Sequence, residues 1–243
     1  MNKLLSIIVI VCVCLFTSFS VNKHLCRVLV FSKTAGFHHE SIAAGITAIQ
    51  ELGKQNAFIV DTTTNASFFN KESLSKYAAV IFLSTTGELF NDTQRTAFKQ
   101  YIRSGGGFVG IHAAADAEYN WTWYSKLVGA SFLSHPQQQA ATLIVKNKTH
   151  PATKYLPLAW IRKDEWYNFK NIDSAINVLI TIDEKTYTGG VNGDFHPMAW
   201  YHDYEGGRSF YTALGHTIES YTDPLFLKHL LGGIQYAIGK NCK

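Results

Sequence analysis

Apolar runs without polar alternation recur along the chain: RVLVFS at residues 27–32, AVIFLS at 79–84, FVGI at 108–111 and AINVLITID at 175–183. Strands buried on both faces of a sheet carry such runs. Between them the spacing turns helical. Residues 41–55 place Ile42, Ile46 and Ile49 on one face, with Ser41 at the capping position. A second helix starts at Asn91 or Asp92, runs to about Ser104 and turns Phe98, Tyr101 and Ile102 inward. Residues 57–62 predict a further strand and residues 74–77 a short helix. Strands alternating with helices predict an α/β fold, a mainly parallel central sheet covered on both faces. Right-handed crossovers then bring the loops after the strands to one edge.

The second half is less regular. Residues 121–128 predict a short helix and 142–145 a short strand, whereas 151–169 carry no clear pattern. Residues 198–204 and 208–214 flank Glu205-Gly206-Gly207, a hairpin signal. Asp223-Pro224 starts a last helix, which runs to Ile238 with Gly239 as its stop. No repeat, linker or low-complexity tract interrupts the chain, and residues 21–243 read as one domain.

The stretch GGGFVGIHAAAD, residues 105–116, organises the rest. Its glycines end the preceding helix and permit positive φ. His112 then follows a buried strand and precedes small residues that let a ligand come close. Ligands of open α/β sheets bind beyond the carboxyl ends of the strands. Other polar residues follow strands in the same way: His38 and His39 after the first, Glu88 after the third, Asp116 after His112, and His216 after Leu214-Gly215. Glu165 lies among Trp166 and Tyr167, and His196 and Trp200 lie near the hairpin. Histidines and carboxylates gathered at one edge suit general acid–base chemistry. We expect His112, His216, Glu88, Asp116 and Glu165 to be catalytic. His38, His39, Trp121, Trp123, Trp166, Tyr167, His196 and Trp200 are expected to bind substrate, the rings stacking on a small-molecule carbohydrate. A divalent metal, zinc or manganese, is the second reading of the same residues, although no HxH, HExxH or CxxC spacing announces one. No G-x-S-x-G elbow, G-x-G-x-x-G or Walker sequence is present.

Composition refines this picture. Aromatic residues make up 14% and charged residues only 16%, which suits a large core, and the net charge of +4 is not clustered. Nucleic acid therefore has no support as a partner. Residues 1–20 combine Lys3, an apolar stretch and small residues at the end, the pattern of a cleaved signal peptide. Its removal predicts a secreted, extracellular protein with no remaining membrane segment. In that compartment Cys26 and Cys242, at the two ends of the mature chain, are expected to form a disulfide. Asn65, Asn91 and Asn147 lie in sequons and are expected to be glycosylated.

The segments VLVFSKTAGFHHESI, FLSTTGE, GGGFVGIHAAADAEYNWTWYSKLVGASFLSHP, DEWYNF, HPMAWYHDYEGGRSFYTALGHT and DPLFLKHLLGGIQYA occur in this order over the mature chain. Together they resemble the ThuA-like family, named from trehalose utilisation. The resemblance implies a flavodoxin-like, three-layer sandwich related to class I glutamine amidotransferases. It also implies a link to sugar metabolism, including disaccharides oxidised to keto forms. Where those amidotransferases carry a cysteine, this chain carries His112, so cysteine-dependent glutaminase chemistry is not expected. The expected activity is that of a hydrolase, lyase or isomerase acting on a sugar or keto-sugar, with non-catalytic carbohydrate binding as the alternative.

Overall fold

The computed structural model describes residues 25–240. The predicted signal peptide and Cys242 lie outside them; Cys26 is buried at the start of the first strand. Among the described residues, a nine-stranded sheet forms the centre. Its parallel half contains β1 (Cys26–Phe31), β2 (Phe58–Thr63), β3 (Ala79–Leu83), β4 (Gly107–Ile111) and β11 (Gly207–Thr212), in the spatial order β2-β1-β3-β4-β11. These strands are flanked by α1 (Ile42–Gln55), α2 (Lys71–Leu74), α3 (Asp92–Arg103), α4 (Thr122–Val128) and α5 (Pro224–Ile238). The result is the mixed α/β, flavodoxin-like sandwich that the alternating pattern predicts.

Beyond β11 the sheet continues antiparallel through β10 (Pro197–Tyr204), β9 (Asn177–Ile182), β6 (Gln139–Val145) and β7 (Ala159–Asp164). The vague stretch at 151–169 thus contains an edge strand. Its outer positions, such as Ile161, face solvent, which explains the missing apolar run. A separate two-stranded ribbon pairs β5 (Ser131–Ser134) with β8 (Asn168–Lys170).

Local chemistry follows the pattern with a few departures. Asn91 caps α3 in a full capping box with Gln94, and Asp223 caps α5 ahead of Pro224. Ser41 does not cap α1; its hydroxyl donates instead to Gly215 O at 3.3 Å, tying the start of α1 to the loop after β11. Of the three consecutive glycines that lead into β4, only Gly105 has positive φ. Gly107 is required for close approach, since a Cβ there would lie 2.2 Å from Ala237 O on α5. No helix among the described residues is long and apolar enough to cross a membrane.

One buried histidine makes the core sensitive to pH. His229 on α5 is fully buried, with Nδ1 2.9 Å from Ala152 O and Nε2 3.1 Å from Thr212 Oγ1. Burial pushes its pKa down to about 4, against the small opposing effect of the Ala152 hydrogen bond. A folded-state pKa below the unfolded value means the unfolded chain binds more protons in between. Stability is therefore expected to fall as pH drops from about 6.5 to about 4. Urea unfolding across that window should show a shallower fall in His229→Gln than in the parent chain; equal slopes would contradict the assignment.

Candidate functional site

Strands β1, β4 and β11 all end at one edge of the sheet, and each is followed by a site histidine. After β1 the loop carries His38 and His39. His38 is exposed, with Nδ1 3.2 Å from Thr34 Oγ1, whereas His39 turns inward and is buried. After β4 the chain enters a left-handed conformation at His112, φ +51°, and then a 3-10 turn over His112–Asp116. Such backbone is unfavourable for a residue with a side chain and is held by its surroundings. Here Tyr211 donates to His112 O at 2.7 Å and the His112 ring is fixed by Ala213 O, 2.8 Å from Nδ1. After β11, Gly215 (φ +104°) turns the chain so that His216 points back.

The fourth member comes from the antiparallel extension. Glu165 follows β7, and its Oε2 lies 3.3 Å from His112 Nε2 and 3.2 Å from His216 Nδ1. Those two nitrogens are themselves 3.0 Å apart. His39 stands edge-on to both rings, with centroids 4.8 and 5.2 Å away. One ligand atom from each of His39, His112, Glu165 and His216 lies within 4.8 Å of the others.

The proton inventory of this group is informative. A carbonyl only accepts, so the Ala213 contact puts the His112 proton on Nδ1 and leaves the Nε2 lone pair directed at Glu165 and His216. His39 Nδ1 is buried with no hydrogen-bond partner. Burial, with the neighbouring His112 and His216, pushes the His39 pKa down to about 3. Burial alone would raise the Glu165 carboxyl, but the adjacent His112 and His216 outweigh it and hold its pKa below the ordinary carboxylate value. Burial would likewise lower His216, and the Glu165 hydrogen bond and carboxylate reverse that into a raised pKa. Each of the four side chains can offer one electron pair to the space between them.

Supporting residues fix the donors in place. Asp164 is fully buried and accepts hydrogen bonds from Glu165 N at 3.0 Å, Gly215 N at 3.0 Å and His216 N at 3.2 Å. Arg162 balances its charge at 3.1 Å. His135, just after β5, reaches Glu165 Oε1 with Nδ1 at 3.2 Å, and Tyr167 packs its ring 4.3 Å from that of His112. Asp116 accepts from Tyr119 and feels the charges of His112, His135 and Glu165; burial raises its pKa. The cluster meets solvent through His216, with 17% of its side chain exposed, and through His135, with 43%.

Several residues expected at the site are elsewhere. Glu88 is paired with Arg95 on α3 at 2.7 Å and bound by Asn120, outside the cluster. His196 is buried between Glu184, Tyr187 and Tyr167 O. Trp166 and Trp200 are fully buried, their indole N–H groups donating to Gln139 O and Val128 O. Trp121 and Trp123 stack on each other beside α3, and Trp123 donates to Glu205 in the β10–β11 turn. These rings are core packing, because the chain's large sheet leaves much apolar volume to fill. His135 and the role of Asp164 escaped the sequence reading. A histidine before Pro136 at a strand end was the available sign for the first. For the second there was only adjacency to Glu165.

Residues 27–237 match the ThuA family model, described as trehalose utilisation. The chain belongs to the ThuA family. Among solved structures, this ThuA chain is similar to a ThuA-like protein from Bacteroides uniformis at 27% identity and a TM-score of 0.75, over 88% of this chain and 92% of that one. A ThuA-like protein from Parabacteroides merdae shares the fold at 21% identity and a TM-score of 0.72, over 88% and 90% of the two chains. β-Galactosidase from Bacillus circulans sp. alkalophilus shares the fold over 86% of this chain but 30% of its own, at 14% identity and a TM-score of 0.58. No curated protein matches the sequence.

Asp164 sets the geometry of two of the four donors in this ThuA site. Asp164→Asn leaves Arg162 only its longer, 3.6 Å pair with the partly exposed Asp223 and is expected to cost about 3 kcal/mol of stability. Urea denaturation measures it; a loss near zero would show that the hydrogen bonds, not the charge, hold the loop.

Proposed function

We propose that this chain is a carbohydrate-active enzyme whose centre takes one divalent cation on His39, His112, Glu165 and His216. The observation that carries the reading is the convergence of those four ligand atoms within 4.8 Å, with the His39 Nδ1 unpartnered. Three imidazoles and a carboxylate suit zinc, and manganese less well. The Nδ1–carbonyl contact of His112 is the outer support that orients a metal-binding imidazole. A cation held by these residues would supply Lewis acidity toward a substrate carbonyl or hydroxyl.

The chain's own groups do the remaining work. Asp116, its pKa raised by burial and its carboxylate held by Tyr119, is suited to take and return a proton at the mouth. His135 holds Glu165 from the solvent side. Tyr167 and Phe132, with ring centroids 4.3 Å apart, form the apolar wall. A sugar or keto-sugar is the substrate class favoured by the family's description as trehalose utilisation. Proton abstraction next to a keto group would permit elimination or isomerisation. We also place the protein outside the cell, with the signal removed after residue 20, Cys26 joined to Cys242 and glycans on Asn65, Asn91 and Asn147.

Metal analysis of the purified protein tests the centre. About one equivalent of zinc or manganese per chain is expected, falling below half in Glu165→Gln and His39→Ala. Turnover of a 3-keto-disaccharide should stop after chelation and in His112→Ala. Retention of no metal, or unchanged turnover in the chelated protein, would overturn the reading.

A further inference from the structure

A cavity of about 440 Å³ opens beside α4 and the β5–β8 ribbon, lined in part by Tyr119, Lys126, Ser131, Lys170, Asn171 and Asp173. It is not part of the histidine cluster, yet two connections join them. The first is the ribbon itself. Ser131 pairs with Lys170 at the cavity end, and the same strand leads to His135, which contacts Glu165. At the strand rise, Ser131 and His135 are roughly 13 Å apart. The second connection is Tyr119. Its hydroxyl donates to Asp116 on the cluster side, and Lys170 Nζ lies 5.1 Å from its ring centroid on the cavity side.

The charge of the lining is selective. Among the described residues, neither Lys126 nor Lys170 has a carboxylate within ion-pair distance. Asp173, the acidic member, has Oδ1 engaged locally by Ala175 N at 2.9 Å. Two lysines without a carboxylate partner therefore line a cavity together with Ser131 and the exposed Tyr119, over whose ring the Lys170 ammonium sits. Unpaired cations beside hydroxyls and a ring suit an oxyanion carried on a polyhydroxylated frame.

We propose that this cavity is a second subsite, which holds the anionic end of a sugar-like ligand whose other end reaches the histidine cluster across Tyr119. The proposal rests on the reading of that cluster as a carbohydrate site. The anion is a carboxylate, as in a uronic acid, or a phosphoryl group. The ligand spans two ring units, because one ring does not bridge the ribbon's length.

Calorimetric titration of the zinc-loaded protein with cellobiose and with cellobiuronic acid tests it. The acidic disaccharide is expected to bind about tenfold more tightly than the neutral one. Lys126→Gln/Lys170→Gln should abolish the preference while leaving metal content and melting temperature unchanged. Inorganic phosphate that competes in the parent chain but not in the variant assigns the anion to a phosphoryl group; no competition assigns it to a carboxylate. Equal affinity for the two disaccharides, no binding of either, or a preference that survives in the variant overturns the subsite. Loss of metal with the acid preference intact would overturn only the proposed metal centre.

Discussion

Three electron-rich atoms, His112 Nε2, His216 Nδ1 and Glu165 Oε2, are held 3.0 to 3.3 Å from one another in a mostly buried site. Lone pairs so close repel unless positive charge sits among them, and low solvent exposure strengthens both the repulsion and its relief. A proton on His216 Nδ1 relieves part of it by bridging to His112 Nε2, and a bound cation would relieve more. The rest of the structure holds this group together. The left-handed turn at His112 fixes one donor, the Gly215 turn another, and the buried Asp164 ties the backbone of both Glu165 and His216.

The two halves of the sheet contribute differently. The parallel half places His39, His112 and His216 by repetition, one after each of three strands that end at the same edge. Alone it brings three imidazoles together without the carboxylate that lies against two of them. The antiparallel extension supplies Glu165 and Asp164 after β7, and the β5–β8 ribbon supplies His135 and the Tyr119 cavity's far wall. The carboxylate that touches His112 and His216 thus comes from the part of the chain whose pattern is weakest. Edge strands and short ribbons leave one face or side in solvent, so they need no continuous apolar run.

Glu118 illustrates how polar groups elsewhere serve the fold. It is fully buried, accepts from Leu89 N and Phe90 N at 2.5 and 2.9 Å, and pairs with Arg95 at 2.6 Å. Arg95 also holds Glu88, so the carboxylate that looked like a site residue belongs to this structural network. The two acids differ little along the sequence. Both lie in loops at the same sheet edge, and both are captured by Arg95 of helix α3 rather than turned to the histidines.

The buried parallel strands, their helices and the cap residues were readable because period and end signals are local properties of the chain. The strand-end positions of His39, His112 and His216 were readable for the same reason. Glu165 was expected beside them, but only as one of three acids: no sequence spacing singles it out from Glu88 and Asp116, because it arrives through an antiparallel extension. The tryptophans went the other way: composition marks a ring as able to stack on sugar or fill a core, and only packing chooses. Local sequence determined which residues stand at the edge of the sheet. Long-range topology decided which of them share one charge, because that depends on distances between segments a hundred residues apart.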